Sequence, residues 1–400
     1  MRPSQDLPAL RRFYLDQLLD DIIPWWMEHA IDREHGGICT FIEDDGTVVS
    51  TDKYMWSQLR ALYLWSLLYN RIEPRAEWLE VARGIFDYVA RFGRDTQGDW
   101  NYWLTAQGDV VEGPTSIYSD GFAIMAMTEF ARATGDQQAI DIALETYRRA
   151  RARLAEPGSY LTAPYVVPAG AKAHGVSMIF SSVFYELGRL LKDDEIMEAG
   201  YEHTLQVLDD FRRPERLCLL EYVGLDGSVL DCPEGRVVVP GHAIESMWFQ
   251  MHIFEHRGEA ERVAQAAECV RWHVGPAWDP EWGGLVLAFD SEWRGEPAWA
   301  HALCKFWWVH TETLYALLLS FHHTREAWCL EWYDLVHEWT FTHFPIAEHG
   351  EWTMRLTREG QRPAELLSLL PLPVKDPFHT PRAMVMMIEV LGRLTGEDQD

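Results

Sequence analysis

The stretch VVVPGHAIESMWFQ, residues 237–250, sets His242 and, one turn later, Glu245 at the start of a helix whose body is otherwise apolar: Ala243, Ile244, Met247, Trp248 and Phe249. A helix lying on a protein surface carries a polar face along its whole length. In this stretch the charged and titratable groups stand only at the N-terminal end. It reads as a helix buried on all sides, with its first turn opening onto a shared polar space.

Other helices begin in a comparable way. Apolar periodicity broken at Gly, Pro and Asp predicts helices over residues 10–30, 56–71, 77–92, 116–134, 137–154 and 176–192. A second set is predicted over 194–212, 242–257, 259–274, 306–323, 325–343 and 382–395. The even-numbered members start roughly 60 to 75 residues apart, the mark of a repeated unit. Their middles, such as AIMAMTEF and LYALLLSF, carry little charge, whereas odd-numbered ones such as IALETYRRARARLA carry much, which suits an inner and an outer ring. Six helical hairpins closing on themselves make an all-α (α/α)6 barrel; an open superhelical stack is the competing architecture. The loops EHGGICTFIEDDG, QGDWNYWLTAQGD, EWGGLVLAFDSEW and EHGEWTMRLTREG share an early Gly and alternating apolar residues. With turns at Asp45-Gly46, Gln107-Gly108, Asp226-Gly227 and Glu359-Gly360, they predict short β-hairpins decorating one end of the barrel. No linker or low-complexity run divides residues 1–400, so one domain is expected.

Composition narrows the function. The formal net charge of −27 argues against nucleic acid, which requires basic surface, and against anionic membranes. Hydrophobic residues make up 48% of the chain, aromatics 13%, and there are 19 Trp, a lean towards aromatic-lined carbohydrate sites. Six scattered cysteines without a CxxC pair favour a reduced, cytoplasmic setting. The first 21 residues read as an amphipathic helix without the apolar core of a signal peptide, and no run approaches the ~18 apolar residues of a membrane span.

Polar groups gather at the inner-helix starts: Trp56, Gln58 and Arg60; Tyr118 and Asp120; His174; His242 and Glu245; Lys305, Trp308, His310 and Glu312; His379 and Arg382. Singly, each has a plainer reading. A histidine at a helix start is most often a cap, Arg60 and Lys305 make ordinary ion-pair partners, and a lone Trp is usually core. Six coincident starts around one mouth favour a site. Two histidines from different helices suit paired acid–base work at a sugar C2, where the anion left by proton loss delocalises onto the C1 carbonyl as an enediolate. Return of the proton to C2 inverts that centre, return to C1 isomerises aldose to ketose, and an arginine near O1 stabilises the oxyanion. Metal ligation by these residues lacks a compact motif such as HExxH. Serine chemistry lacks GxSxG, and nucleotide binding lacks GxGxxG and GxxxxGK[ST]. An inverting glycosidase using Glu245, Glu312 or Asp120 leaves the histidines without a role.

KYMWSQLRALYLWSLLY, SIYSDGFAIMAMTEF, PGHAIESMWF, KFWWVHTETLYALL, GEWTMRLTREG and FHTPRAM, in this order, resemble the N-acylglucosamine 2-epimerase family from about Trp26 to near the C-terminus. The resemblance implies an (α/α)6 barrel and cofactor-independent epimerisation, with no metal. His242 of PGHxxE and His379 of FHxPR would form the acid–base pair, Arg60 would stabilise the intermediate, and Glu245 and Glu312 would orient substrate and histidines. Lys305 and Lys375 match recurring lysines. AKAHGVSMIFSSVFYELG resembles the N-acyl branch, which implies N-acetylglucosamine and N-acetylmannosamine as substrates, with mannose, fructose, glucose or cellobiose as the alternative. A homodimer and an ATP effector belong to the same implication, and a catalytically silent binding protein is the contrasting expectation.

Overall fold

The computed structural model describes residues 2–156, 158–363 and 372–397. Helix α1 (Leu7–Asp16) passes through a π-helical turn at Gln17–Ile22 into α2 (Ile23–His29), so the first predicted helix is one continuous rod. It is followed by α3 (Met55–Arg71), α4 (Ala76–Phe92), α5 (Ile117–Thr134), α6 (Gln137–Leu154), α7 (His174–Leu191) and α8 (Asp194–Gln206). The second half comprises α9 (Pro240–Arg257), α10 (Ala260–Ala277), α11 (Trp307–Thr324), α12 (Ala327–His343) and α13 (His379–Thr395).

Burial sorts these rods into two rings. Helix α6 buries Ala139, Ile142, Ala143, Thr146, Tyr147 and Ala150, a single stripe at helical spacing. Helix α11 buries every residue from 309 to 320. Leu314, Leu317, Leu318 and Leu319 are wholly buried there, and each contributes about 1.5–3 kcal/mol of apolar burial. The inner helices α3, α5, α7, α9, α11 and α13 pack in sequence, and α13 returns to pack on α3. Each outer helix lies on its own inner partner, with α1 covering α13. That closing contact makes the fold an (α/α)6 barrel and excludes the open superhelix.

Helix starts differ from the predicted ones by at most three residues, and the larger differences have identifiable reasons. Helix α9 begins at Pro240 and α13 at His379, because a proline in the first turn has its fixed φ already helical and gives up only an N–H that would be unpaired there. Arg325 does not open α12; it takes a left-handed φ of 59° and caps α11 instead.

Short strands stitch the loops together around the N-terminal ends of the inner helices. Lys53 and Tyr54, just before α3, pair with Leu104 and Trp103 of the next loop. The same arrangement recurs before α7 (Ala171–Ala173 with Tyr222–Gly224), α9 (Val237–Val238 with Phe289–Asp290) and α11 (Lys305–Phe306 with Arg355–Leu356). Gly46, Gly108, Gly227 and Gly360 take φ between 81° and 93°, as the predicted tight turns require. At Gly108 a Cβ would also lie 2.3 Å from the Phe92 ring.

Candidate active site

The inner helices start around one mouth, and a cavity of about 480 Å³ opens there. Trp56 and Arg60 of α3, Tyr118 of α5, His242 and Glu245 of α9, Trp308 of α11 and His379 of α13 all line it. Residues separated by hundreds of positions thus face a space the size of a sugar.

The two imidazoles share a neighbour. His242 stacks on the Trp308 indole at 5.0 Å between ring centroids, and His379 lies 5.7 Å from the same indole. The rings therefore stand no further apart than those two distances combined, close enough to bracket one hexose. Each is anchored through Nδ1 by a carboxylate, which only accepts hydrogen bonds when ionised, so each turns Nε2 the other way. His242 Nδ1 lies 3.1 Å from Glu221 Oε2, and His379 Nδ1 lies 2.8 Å from Glu312 Oε1. Their electrostatic surroundings differ. Burial pulls the His242 pKa down, but the charge and hydrogen bond of Glu221 overcome it and hold that imidazole above its ordinary value. Burial, reinforced by the Arg60 and Arg382 guanidiniums, holds His379 well below it. The site thus pairs an imidazole inclined to carry a proton with one held neutral, its Nε2 lone pair free.

Glu312 and Arg382 stand one layer behind the cavity wall. Arg382 Nη2 donates to Glu245 Oε1 at 2.5 Å and to Glu312 Oε1 at 2.7 Å, while Trp248 Nε1 donates to Glu312 Oε2 at 2.9 Å. Glu312 is therefore held on both oxygens and fixes the tilt of His379. Donor atoms of Glu245, Glu312 and His379 lie within 4.8 Å of one another, a spacing that would suit a metal ion. The guanidinium of Arg382 already lies against both carboxylates, so the position of a cation is filled by a side chain and the set does not fit a metal.

Arg60 presents its guanidinium to the cavity from an aromatic clamp. Its Cζ lies 4.8 Å from the Trp56 ring, 4.3 Å from Phe122 and 4.6 Å from Phe378, and Nη1 donates to Asp376 Oδ2 at 3.0 Å. Such a clamp fixes the fork where a lysine would wander.

Six of the expected substrate contacts are not among the residues lining the cavity, and the expectation is corrected for them: Glu312 and Arg382, behind its wall, and Gln58, Asp120, Lys305 and His174, whose partners lie elsewhere. Gln58 lies two residues from both Trp56 and Arg60, about 200° round the helix, and faces the other way. It donates to the Ile38 carbonyl and accepts from the Ile38 N–H, both at 2.9 Å. Asp120 is turned from Tyr118 by the same rotation and pairs with Arg153 of α6. Lys305 lies in a strand and binds Asp279 at 3.2 Å and the Gly284 carbonyl at 3.3 Å. His174 is buried beside Phe211, outside the cavity lining. His310 is likewise structural: it accepts from the Leu285 N–H and bonds the Phe306 carbonyl.

Sequence reasoning missed Glu221, Asp376, Tyr165 and Trp299. Glu221 is the lone charge in the apolar run CLLEYVG, and a solitary carboxylate in a buried segment was the available signal. Asp376 is signalled only by standing three residues before His379. Tyr165 and Trp299 come from two separate loops and stack at 5.7 Å at the mouth, a contact with no local sequence mark.

The cellobiose 2-epimerase of Spirochaeta thermophila superposes with a TM-score of 0.84 over 98% of this chain and 99% of that one, at 20% identity, a likeness of fold. Residues 36–370 match the family described as N-acylglucosamine 2-epimerase (GlcNAc 2-epimerase). The N-acylglucosamine 2-epimerases of Bos taurus and Homo sapiens are each 31% identical to this chain over 94% of its length, and over 90% and 89% of their own. The chain is thereby placed among the carbohydrate epimerases, enzymes of the isomerase class. It belongs to the N-acylglucosamine 2-epimerase family.

Proposed function

We propose that this protein interconverts N-acetyl-D-glucosamine and N-acetyl-D-mannosamine by proton transfer at C2 of the open-chain sugar. The observation that carries the reading is the pair of oppositely poised imidazoles on one cavity. His379, neutral and donating Nδ1–H to Glu312, offers its Nε2 lone pair to the C2 proton. The C2–H electrons move into the C1–C2 bond and the carbonyl electrons onto O1, forming an enolate. Arg60 faces that oxygen and stabilises its charge. His242, donating Nδ1–H to Glu221, delivers its Nε2 proton to the opposite face of C2, and solvent restores both imidazoles. In the reverse direction the roles exchange.

Two observations support the N-acetyl sugars over unsubstituted ones. The Bos taurus and Homo sapiens relatives are 31% identical, against 24% for the cellobiose 2-epimerase of Bacteroides fragilis. The cavity also has an apolar wall of Met178, Ile179, Leu287 and Met354, suited to an acetamido methyl. The test is incubation of each sugar with the protein in D2O, read by NMR. Deuterium at C2 of both is expected; turnover of mannose, glucose, fructose or cellobiose alone would overturn the assignment.

The family resemblance further supports a homodimer and ATP as an effector, to be tested by light scattering and by turnover with and without the nucleotide. The closed ring supports one domain over residues 1–400. All six cysteines are free thiols, which supports a reducing, cytoplasmic setting, and no described helix is long and apolar enough to cross a membrane.

A further inference from the structure

At the end of the barrel remote from the substrate cavity, the C-terminal turns of α9 and α11 meet. Glu255 of α9 and His322 and His323 of α11 bring one donor atom each within 4.8 Å of one another. The SFHHT segment that carries the histidines has no part in the chemistry above. His322 Nδ1 and His323 Nε2 are buried and have no hydrogen-bond partner. A buried imidazole nitrogen without a partner has a lone pair to offer, and a bound ion would satisfy it. Glu255 Oε2 lies 3.9 Å from His323 Nε2. That is too far for a hydrogen bond and close to the ~3.4 Å between ligand atoms on a tetrahedral ion with bonds of ~2.0–2.1 Å.

The surroundings select the kind of ion. Arg393 approaches the other carboxylate oxygen, Nη1 to Oε1 at 3.9 Å, which leaves Oε2 available. His252 Nδ1 lies 4.0 Å from Oε2 as a fourth donor near the set, and its Nε2 is bonded to the Tyr315 hydroxyl at 2.6 Å. Burial, with Arg393 nearby, pushes both α11 histidines down to about 4, so they are neutral with free lone pairs at neutral pH. One carboxylate beside an arginine is a poor site for Mg2+ or Ca2+, which need several oxygens. Two imidazoles and a carboxylate suit a borderline-soft ion.

We propose that Glu255, His322 and His323 form a site for a transition metal of the Zn2+ type, clamping α9 to α11 at the ends opposite their catalytic groups. Because α9 carries His242 and Glu245 and α11 carries Trp308 and Glu312, the clamp strengthens the wall holding them without entering the reaction.

The test uses the full chain without a histidine tag, dialysed against EDTA and titrated with Zn2+ and, separately, Co2+, with Mg2+ as control. One equivalent of Zn2+ is expected to raise Tm, and Co2+ to give the visible bands of a four-coordinate site. Outer-sphere substitutions at metal sites weaken binding about 10–100-fold, so His322→Gln/His323→Gln, which removes two ligands, is expected to weaken it by at least that much. Epimerase turnover of the metal-free double variant should match that of the metal-free parent. No saturable binding near one equivalent, or binding retained by the double variant, would overturn the proposal. These readouts stand whichever sugar the protein turns over.

Discussion

Glu221 is a positioning residue that the proposed mechanism makes indispensable, and Glu221→Gln isolates what it does. The amide keeps the shape and can still bond His242 Nδ1 at 3.1 Å, but it removes the negative charge that holds the His242 pKa up against burial. A hydrogen bond to a charged partner contributes about 1.5–3 kcal/mol, and each ~1.4 kcal/mol is tenfold in rate, so kcat should fall roughly 10–100-fold near neutral pH. KM should change little, because Glu221 is not among the residues lining the cavity. The sign of the pH effect follows from the proton carried. His242 must be protonated to act as acid, so its pKa sets the alkaline limb of the rate profile. Losing the charge lowers that pKa and moves the alkaline limb to lower pH. The assay is C2 deuterium incorporation followed by NMR between about pH 5 and pH 9, the range over which imidazole titrates. A variant with parental kcat and an unmoved alkaline limb would refute the assignment of His242 as the charged partner.

Substitution of the other imidazole, His379→Asn, should lower kcat about 10²–10⁴-fold and abolish C2 exchange while the sugar still binds, as titration calorimetry would show. Trp248→Phe removes the indole donor from Glu312 Oε2 without touching the sugar; a loss of about 0.5–1.5 kcal/mol, roughly 2–10-fold, should appear in kcat and not in KM. Lys375 is wholly buried, with Nζ 2.7 Å from Asp44, 2.6 Å from Glu351 and 2.5 Å from the Trp352 carbonyl. Lys375→Met strands these partners and should cost about 3–5 kcal/mol of stability, read as a fall in the urea midpoint, with turnover of the folded protein unchanged.

The chain on its own determined the helices, their pairing into six units, and which ends would be polar. Those properties are local: apolar spacing at 3.6 residues, glycines at turns that require positive φ, and the contrast between AIMAMTEF and IALETYRRARARLA. His242, Glu245, Arg60 and His379 could be picked out for the same reason, since each marks the start of an apolar helix. Which residues within a start face the cavity is a matter of helix phase, where a two-residue step turns a side chain by about 200°. Gln58 and Asp120 were lost there, because a start known only to two or three residues leaves the phase open. Glu221 reaches His242 only because the strand Tyr222–Gly224 beside it pairs with Ala171–Ala173, and α13 seals the ring only by packing on α3. Contacts of this kind depend on where distant segments come to rest, so no short window of sequence contains them.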